Sequence, residues 1–546
     1  MIYIDIETNL AHDTLWCVVT KKDGHVTSWS GREGLQEYLD GNKVCAHNLI
    51  GFDAPVLRNV WNVTIPASKA VDTLVMSRLL NPQVEGGHSL KAWGKRLGFD
   101  KMDFDVEDFD GGFTLEMEEY CKRDVEVLEV LHKYLDKAFE DWSNPAQSLE
   151  LEHKIAMYMT QQQRNGFLLD QRLCTQLLAE MRDKMLRITI ELQEVFPPLV
   201  QERWSEKTGK RLKDRVTEFN VGSRKQIAER LQSLGVVFTK KTDKGNVIVD
   251  ESVLKGIKRP EAQLIAEYLM LQKRVGMLDS WMDHVKDDGR VHGRVIPNGA
   301  ITGRMTHQSP NMGQITSVKS EYGKESRQCW TVPKGYKLVG CDLSGIELRC
   351  LAHYMKDEAY TYELLEGDIH TANQQAAGLA TRDQAKTFIY ALLYGAGAAK
   401  IGAIVGGSAN KGKILIDKFM GNMPALEKLL RTVQRLAAQG YVPALDGRQI
   451  IIRSEHAALN SLLQSAGAVI AKQWCIEAHK LLKKYKIDYK QVAFVHDEIQ
   501  LEVREDQAEE AATIMVEAAS LAGKALNFRV PVDAEAKIGN NWYETH

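Results

Sequence analysis

Acidic side chains at short, regular spacing are the first residues in this chain that could do chemistry. Asp5 and Glu7 lie two apart in Met1-Ile2-Tyr3-Ile4-Asp5-Ile6-Glu7-Thr8. In an extended strand alternate side chains share a face, so both carboxylates point one way and Ile2, Ile4 and Ile6 the other. Two like charges on one face repel unless water or a cation neutralises them. A solvated strand face is the plain alternative. Asp53 closes His47-Asn48-Leu49-Ile50-Gly51-Phe52-Asp53, and Tyr120 and Asp124 stand four apart, on one face of a helix. An exposed helical contact would account for that pair alone.

A second acidic set lies far along the chain. Lys337-Leu338-Val339-Gly340-Cys341-Asp342 reads as a buried strand ending in an acid, followed by Leu343-Ser344-Gly345-Ile346-Glu347. In residues 492–503 two apolar arms flank His496-Asp497-Glu498, the pattern of a β-hairpin. A polar turn is the alternative there. Between them, Thr381 with Gln384 forms a capping-box pattern and Gly395 a helix stop. On that helix Arg382, Lys386 and Tyr390 recur every four residues, two cations and then an aromatic ring. A triphosphate followed by a flat base makes those demands in that order: Arg grips phosphate bidentately, Lys acts as a point charge and the ring packs on the nucleotide. A solvated basic helix face explains neither the tyrosine nor the acid-bearing strands.

These residues must be held by at least three kinds of texture. Residues 1 to about 145 alternate strand-like runs (2–6, 43–46) with helical patterns, an α/β layer. Residues from about 148 to 290 are helix-rich, with polar interruptions near 205–220 and 240–250. Strands return at 336–342 and 491–503, separated by a long helical region. Residues 141–146, with Asn144 and Pro145, mark the first boundary. A length of 546 residues is too great for one core and suggests about three or four domains.

Composition excludes little. Hydrophobic content of 44% and charged content of 26% are ordinary for a globular protein. A net charge of −3 neither favours nor opposes a nucleic-acid partner, since a metal-dependent nucleic-acid enzyme carries many carboxylates. Local basic clusters (Lys207, Lys210, Arg211, Lys213 and Arg215; Lys319, Lys324 and Arg327) are no more than solvated loops when taken alone. The eight cysteines form no C-x-x-C and no zinc spacing, and are expected to be reduced and mostly buried. No apolar run reaches the roughly 20 residues of a membrane helix, and the opening carries no signal peptide. The expectation is a cytoplasmic protein with no membrane partner.

Taken in order, D-x-E, N-x-x-x-F-D and Y-x-x-x-D resemble the DEDD-type 3′→5′ exonucleases. The strand ending in Asp342, the helix of Arg382, Lys386 and Tyr390, and the His496-Asp497 hairpin look like motifs A, B and C of the family A (polymerase I-like) DNA polymerases. Thr302-Gly303-Arg304, Gly367-Asp368-Ile369-His370, Asp446-Gly447-Arg448 and residues 459–468 resemble the bacteriophage replicative branch in wording and order. The resemblance covers essentially the whole chain and is weakest around 196–250.

The resemblance implies an α/β multidomain fold: an RNase H-like exonuclease domain (1–146) joined to a right-hand polymerase. In that hand the thumb would span 147–292, the palm 293–355 and 457–546, and the fingers 356–456. It implies Mg²⁺ as cofactor, two ions at each site, with Mn²⁺ a substitute. Asp5, Glu7 and Asp124 would ligate the exonuclease ions, Asp53 would complete the set and Tyr120 would orient the attacking water. Asp342, Asp497 and the backbone oxygen of Leu343 would hold the polymerase ions, with Glu498 nearby.

The nucleotide and DNA contacts are implied in the same way. Arg382, Lys386 and His370 would contact the triphosphate, with Lys386 also protonating pyrophosphate. Tyr390 would stack on the nucleotide and Glu347 would fill the space of a ribose 2′-hydroxyl. Arg304, Arg448, Gln464 and His496 would contact the primer–template. Primer–template DNA and dNTPs are the expected partners, with a phage helicase/primase and single-strand binding protein behind them, all in the host cytoplasm. The chain opens directly on the exonuclease motif, so a 5′-nuclease domain is not expected. Some phage relatives carry a long insertion that captures host thioredoxin. Nothing of that size fits between Phe196 and Phe219, so no thioredoxin partnership is expected.

Overall fold

The computed structural model describes residues 1–102, 110–242 and 244–546. The opening run is a strand, β1 (Ile2–Thr8), at the centre of a five-stranded sheet with β2 (Leu15–Lys22), β3 (His25–Trp29), β4 (Val44–Ala46) and β5 (Ala70–Asp72). The order is β3-β2-β1-β4-β5; β1 runs antiparallel to β2 and parallel to β4. Both faces of β1 are covered, as a central strand requires: Ile2, Ile4 and Ile6 pack towards Leu35, Leu39 and Leu57, and Tyr3 packs with Cys121, Leu128 and Trp93. That second face is closed by α1 (Leu115–Phe139), N-capped by Thr114.

Helix α2 (Pro145–Asn165) follows, with Asn144 as its cap and Pro145 at its first turn, where a missing N–H costs nothing. The expected boundary at 141–146 is therefore the start of a helix, with no flexible linker. Helices α3 (Gln171–Val195) and α4 (Pro260–Asp283) pair along their length. Where α3 ends, the rings of Phe196 and Phe219 meet edge to face at 5.0 Å. Between them stands a lone two-stranded ribbon, β6 (Leu199–Trp204) and β7 (Arg211–Thr217), largely exposed to solvent and carrying the first basic cluster. The second basic cluster is no patch: Arg327 turns inward, is buried, and donates to the Thr316 carbonyl.

The C-terminal half is built on a four-stranded antiparallel sheet of β8 (Tyr336–Leu343), β9 (Tyr489–Val495), β10 (Glu498–Arg504) and β11 (Ala534–Gly539), in the order β9-β10-β8-β11. Helices α5 (Ile346–Met355), α8 (Ala458–Lys484) and α9 (Ala508–Ala525) pack on it around Trp474, Phe494 and Met515. Beyond it α6 (Ile369–Ala377) and α7 (Arg382–Leu393) pack together, with Phe388 of α7 against Phe419. The capping box at Thr381 and Gln384 is formed, and Gly395 takes the left-handed conformation (φ 73°) just past the helix end. All eight cysteines are free and buried. Among the described residues no helix is long and apolar enough to cross a membrane.

Two candidate active sites

The first acid cluster is assembled from three elements. β1 contributes Asp5 and Glu7; the wide helical turn Leu49–Asp53 contributes Asp53; α1 contributes Tyr120 and Asp124. Glu7, Asp53 and Asp124 are buried, which rules out a solvated strand face. Burial, then repulsion from Asp124, holds the Asp5 carboxyl up at about 7. Burial and then Asp5 push Glu7 up to about 10. Asp53 and Asp124 are likewise raised, first by burial. One oxygen each of Asp53 and Asp124 is buried with no hydrogen-bond partner.

Ligand atoms of Asp5, Glu7 and Cys121 lie within 4.8 Å of one another. The Cys121 thiol, raised by burial and donating to Asp5, is no ligand for a hard cation; the carboxylates are. Orphaned buried oxygens and mutually repelling acids are what a divalent-cation site presents when metal-free, and the residues fit Mg²⁺. Lys101, which the motifs did not single out, pairs with Asp124 and lies 4.7 Å above the Tyr120 ring.

The second cluster is set by strand register. Asp342 stands opposite Glu498 across β8 and β10, and the Leu343 N–H donates to the Asp497 carbonyl at 3.1 Å, tying the strand end to the hairpin turn. His496, at φ 59°, makes that turn and is exposed beside Asp497. Limited hydration, then the neighbouring Asp497, holds the exposed Asp342 up at about 7; Asp497 is raised by burial. These two carboxylates, with solvent access on one side, also suit a hard divalent cation.

Glu498 departs from expectation. It is buried, and hydrogen bonds from His546 (2.8 Å), Gln500 (2.6 Å) and Trp542 occupy both its oxygens. Burial alone would raise its carboxyl, but these donors hold it low. Its place is an anchor for the C-terminal segment rather than a cation ligand.

A cavity of about 260 Å³ beside Asp497 is lined by Arg304, Glu347, Tyr394, Gln464's neighbours Leu463 and Gly467, and Lys472. Glu347 accepts from Tyr394 and lies 3.6 Å from Arg304. Tyr394 continues the 382–386–390 stripe by four residues, a signal the sequence already held. Burial, and then the charges of Glu347 and Asp497, raise the Tyr390 hydroxyl. Arg382 is held by Asp368 at 2.7 Å, and Lys386 is exposed. His370 stands 6.3 Å from Tyr390, ring to ring, with a buried Nδ1 lacking a partner. Gln464 is half-buried and donates to Asn460.

Arg448 is the second departure. Instead of lining the cleft it is 4% exposed. Its guanidinium is consumed by Asp446 (2.6–3.0 Å), Glu152 (2.6 Å) and Asn298 (3.2 Å). Glu152 also takes the buried Lys472 at 2.6 Å. The motif indicated residue type correctly but not the direction of the side chain. The next residue on α2, His153, accepts the Asp72 N–H at 2.9 Å, and Asp72 in turn accepts from the Asn48 and Ile50 N–H groups that shape the Asp53 turn.

A profile of DNA polymerase family A matches residues 199–544. The DNA-directed DNA polymerases of Enterobacteria phage T3 and Escherichia phage T7 are each 34% identical, over 93% of this chain and 93% of theirs. Those alignments run to 660 and 663 positions, more than the 546 residues here, so the relatives hold segments without counterpart in this chain. The POL domain of Pol1 from M. smegmatis, solved in complex with DNA primer-template and dNTP, matches the fold with a TM-score of 0.83. It is 20% identical, over 100% of this chain and 95% of that one. With the profile covering more than half its length and the phage enzymes matched almost end to end, this chain belongs to the family A DNA polymerases.

Proposed function

We propose that this chain is a template-directed, phage-type replicative DNA polymerase that extends a primer 3′ end and edits it at a separate 3′→5′ exonuclease site. The observation that carries the reading is the strand end at Asp342 tied to the Asp497 turn, while a second acid cluster is built on a different sheet. The domain limits proposed are 1–146 for the exonuclease, 147–292 for the thumb, 293–355 with 457–546 for the palm and 356–456 for the fingers.

Asp342, Asp497 and the Leu343 carbonyl would hold Mg²⁺ at one site, and Asp5, Glu7 and Asp124, completed by Asp53, at the other. The ions supply Lewis acidity and charge to offset that of the phosphoryl group in transfer. The chain's own groups do the rest. Arg382, Lys386 and His370 grip the triphosphate, for which Arg382 must release Asp368; Lys386 is placed to protonate the departing pyrophosphate. Tyr390 stacks on the nucleotide. Glu347, braced by Tyr394 and Arg304, occupies the space a 2′-hydroxyl would need. Arg304, Gln464 and His496 check the primer–template, where groove contacts test geometry more than sequence. Tyr120 orients the water at the editing site. A phage helicase/primase and single-strand binding protein, in the host cytoplasm, complete the proposed setting.

The test is a separation of functions on a 5′-labelled primer. Asp342→Ala or Asp497→Ala should abolish extension and leave single-strand degradation; Asp5→Ala with Glu7→Ala should do the reverse. Loss of both activities in a folded single-site variant would refute two separate sites.

A further inference from the structure

We infer that Lys101 is a further catalytic residue of the exonuclease site, its ammonium donating to a non-bridging oxygen of the scissile phosphate. The inference rests on the editing role proposed above. Lys101 lies just after the helix Leu90–Leu97, largely buried at its side chain (13% exposed), in contact with Asp124 and 4.7 Å above the Tyr120 ring. Those two groups bracket the reaction: Asp124 is on the cation side and Tyr120 on the water side. A point in contact with both is within reach of the phosphate oxygens that must lie between them. Among the described residues no other ion pair is formed to Asp5, Glu7, Asp53 or Asp124.

Charge makes the same demand. Four carboxylates offset two divalent cations fully. The phosphodiester then arrives with one negative charge, and addition of water gives the five-coordinate state a second. In the step itself a water oxygen bonds to phosphorus and the bond from phosphorus to the 3′ oxygen of the preceding nucleotide breaks. The electron pair leaves with that oxygen. One water proton ends on the new 3′-hydroxyl and the other passes to solvent as the nucleotide departs as a monophosphate. Lys101 makes and breaks no covalent bond; it places a positive donor where the second charge gathers, in a site shielded from water. Lys101 follows no periodic pattern with the acids, so no motif marks it.

The test uses the full chain and a 5′-labelled single-stranded oligonucleotide under single-turnover conditions. Lys101→Ala should slow cleavage on the order of 10²-fold, as loss of one charged transition-state donor does, and Lys101→Arg should recover part of it. Primer extension by the same variant reports that the chain is folded. Sulfur in place of one non-bridging oxygen at the scissile phosphate should penalise one diastereomer in the wild type, and Lys101→Ala should erase that difference. In EDTA, where no cleavage occurs, Lys101→Ala should weaken oligonucleotide binding several-fold. If Lys101 only substitutes for a missing cation, Lys101→Ala would cleave as fast or faster, need less Mg²⁺, and keep the sulfur effect; that result overturns the assignment. Full degradation by Asp5→Ala is a distinct outcome, and it would remove the editing site itself.

Discussion

Arg448→Ala separates two accounts of one residue. If its guanidinium touches DNA, removing it leaves the fold alone and costs one phosphate contact, lowering the salt slope of DNA binding by about 0.9. The structure assigns it elsewhere. Arg448 and Asp446 are 4% and 0% exposed, and Glu152 is 0% exposed. Glu152 retains Lys472 if Arg448 is lost, but Asp446 loses all three of its bonds from the arginine side chain and remains a buried anion with one long backbone N–H bond at 3.4 Å. Removing one partner of a buried ion pair costs ~3–5 kcal/mol. For a cooperative unit of a few hundred residues that is about 6–20 °C in the corresponding Tm. Calorimetry should therefore show a large drop for Arg448→Ala. Arg448→Lys should recover little, because one ammonium cannot serve Asp446, Glu152 and Asn298 together. The salt slope of DNA binding, measured below the transition, should be unchanged. A Tm within about 2 °C of wild type together with a slope lowered by about one would refute the reasoning.

Two further outcomes follow from the sites. Tyr390→Phe should raise discrimination against dideoxynucleotides about 5- to 150-fold, the worth of one hydroxyl hydrogen bond of ~1–3 kcal/mol to the incoming nucleotide; equal terminator incorporation by both enzymes would count against it. Because burial and mutual repulsion hold Asp5 at about 7 and Glu7 at about 10, both above their unfolded values, metal-free protein is most stable where both are protonated and loses stability as pH rises through those values. The slope is at most ~1.4 kcal/mol per pH unit for each group. In EDTA the Tm should fall from pH 6 to pH 9, and Mg²⁺ should restore more at the higher pH; parallel curves with and without metal would sink this account.

What could be read in advance was local. A strand-like opening run, an apolar run ending in Asp342 and two apolar arms about His496-Asp497 placed β1, β8 and the β9–β10 hairpin, and the Thr381 cap placed α7, because those signals involve residues within a few positions of one another. What escaped depends on partners far along the chain. Glu152 lies 296 residues from Arg448, and His546 lies 48 from Glu498. A motif states which side chain occurs, and its direction is settled by which neighbour offers a compensating charge. Hence strand register ties Asp342 to the Asp497 turn, while Arg448 and Glu498 turn inward.

The successive residues Glu152 and His153 serve opposite halves of the molecule, one bonded to Arg448 and Lys472 of the C-terminal half and the other to Asp72 of the N-terminal five-stranded sheet. Adjacent positions on a helix are about 100° apart in azimuth. The angular phase of a single helix thus acts as the gauge between the two acid clusters, and a one-residue insertion upstream in α2 would spoil both engagements at once. Trimming the chain near residue 146 would strip Asp72 from His153 and bare Ala156, which packs with Ile50 and Val75. Point substitution at the acids leaves that gauge intact.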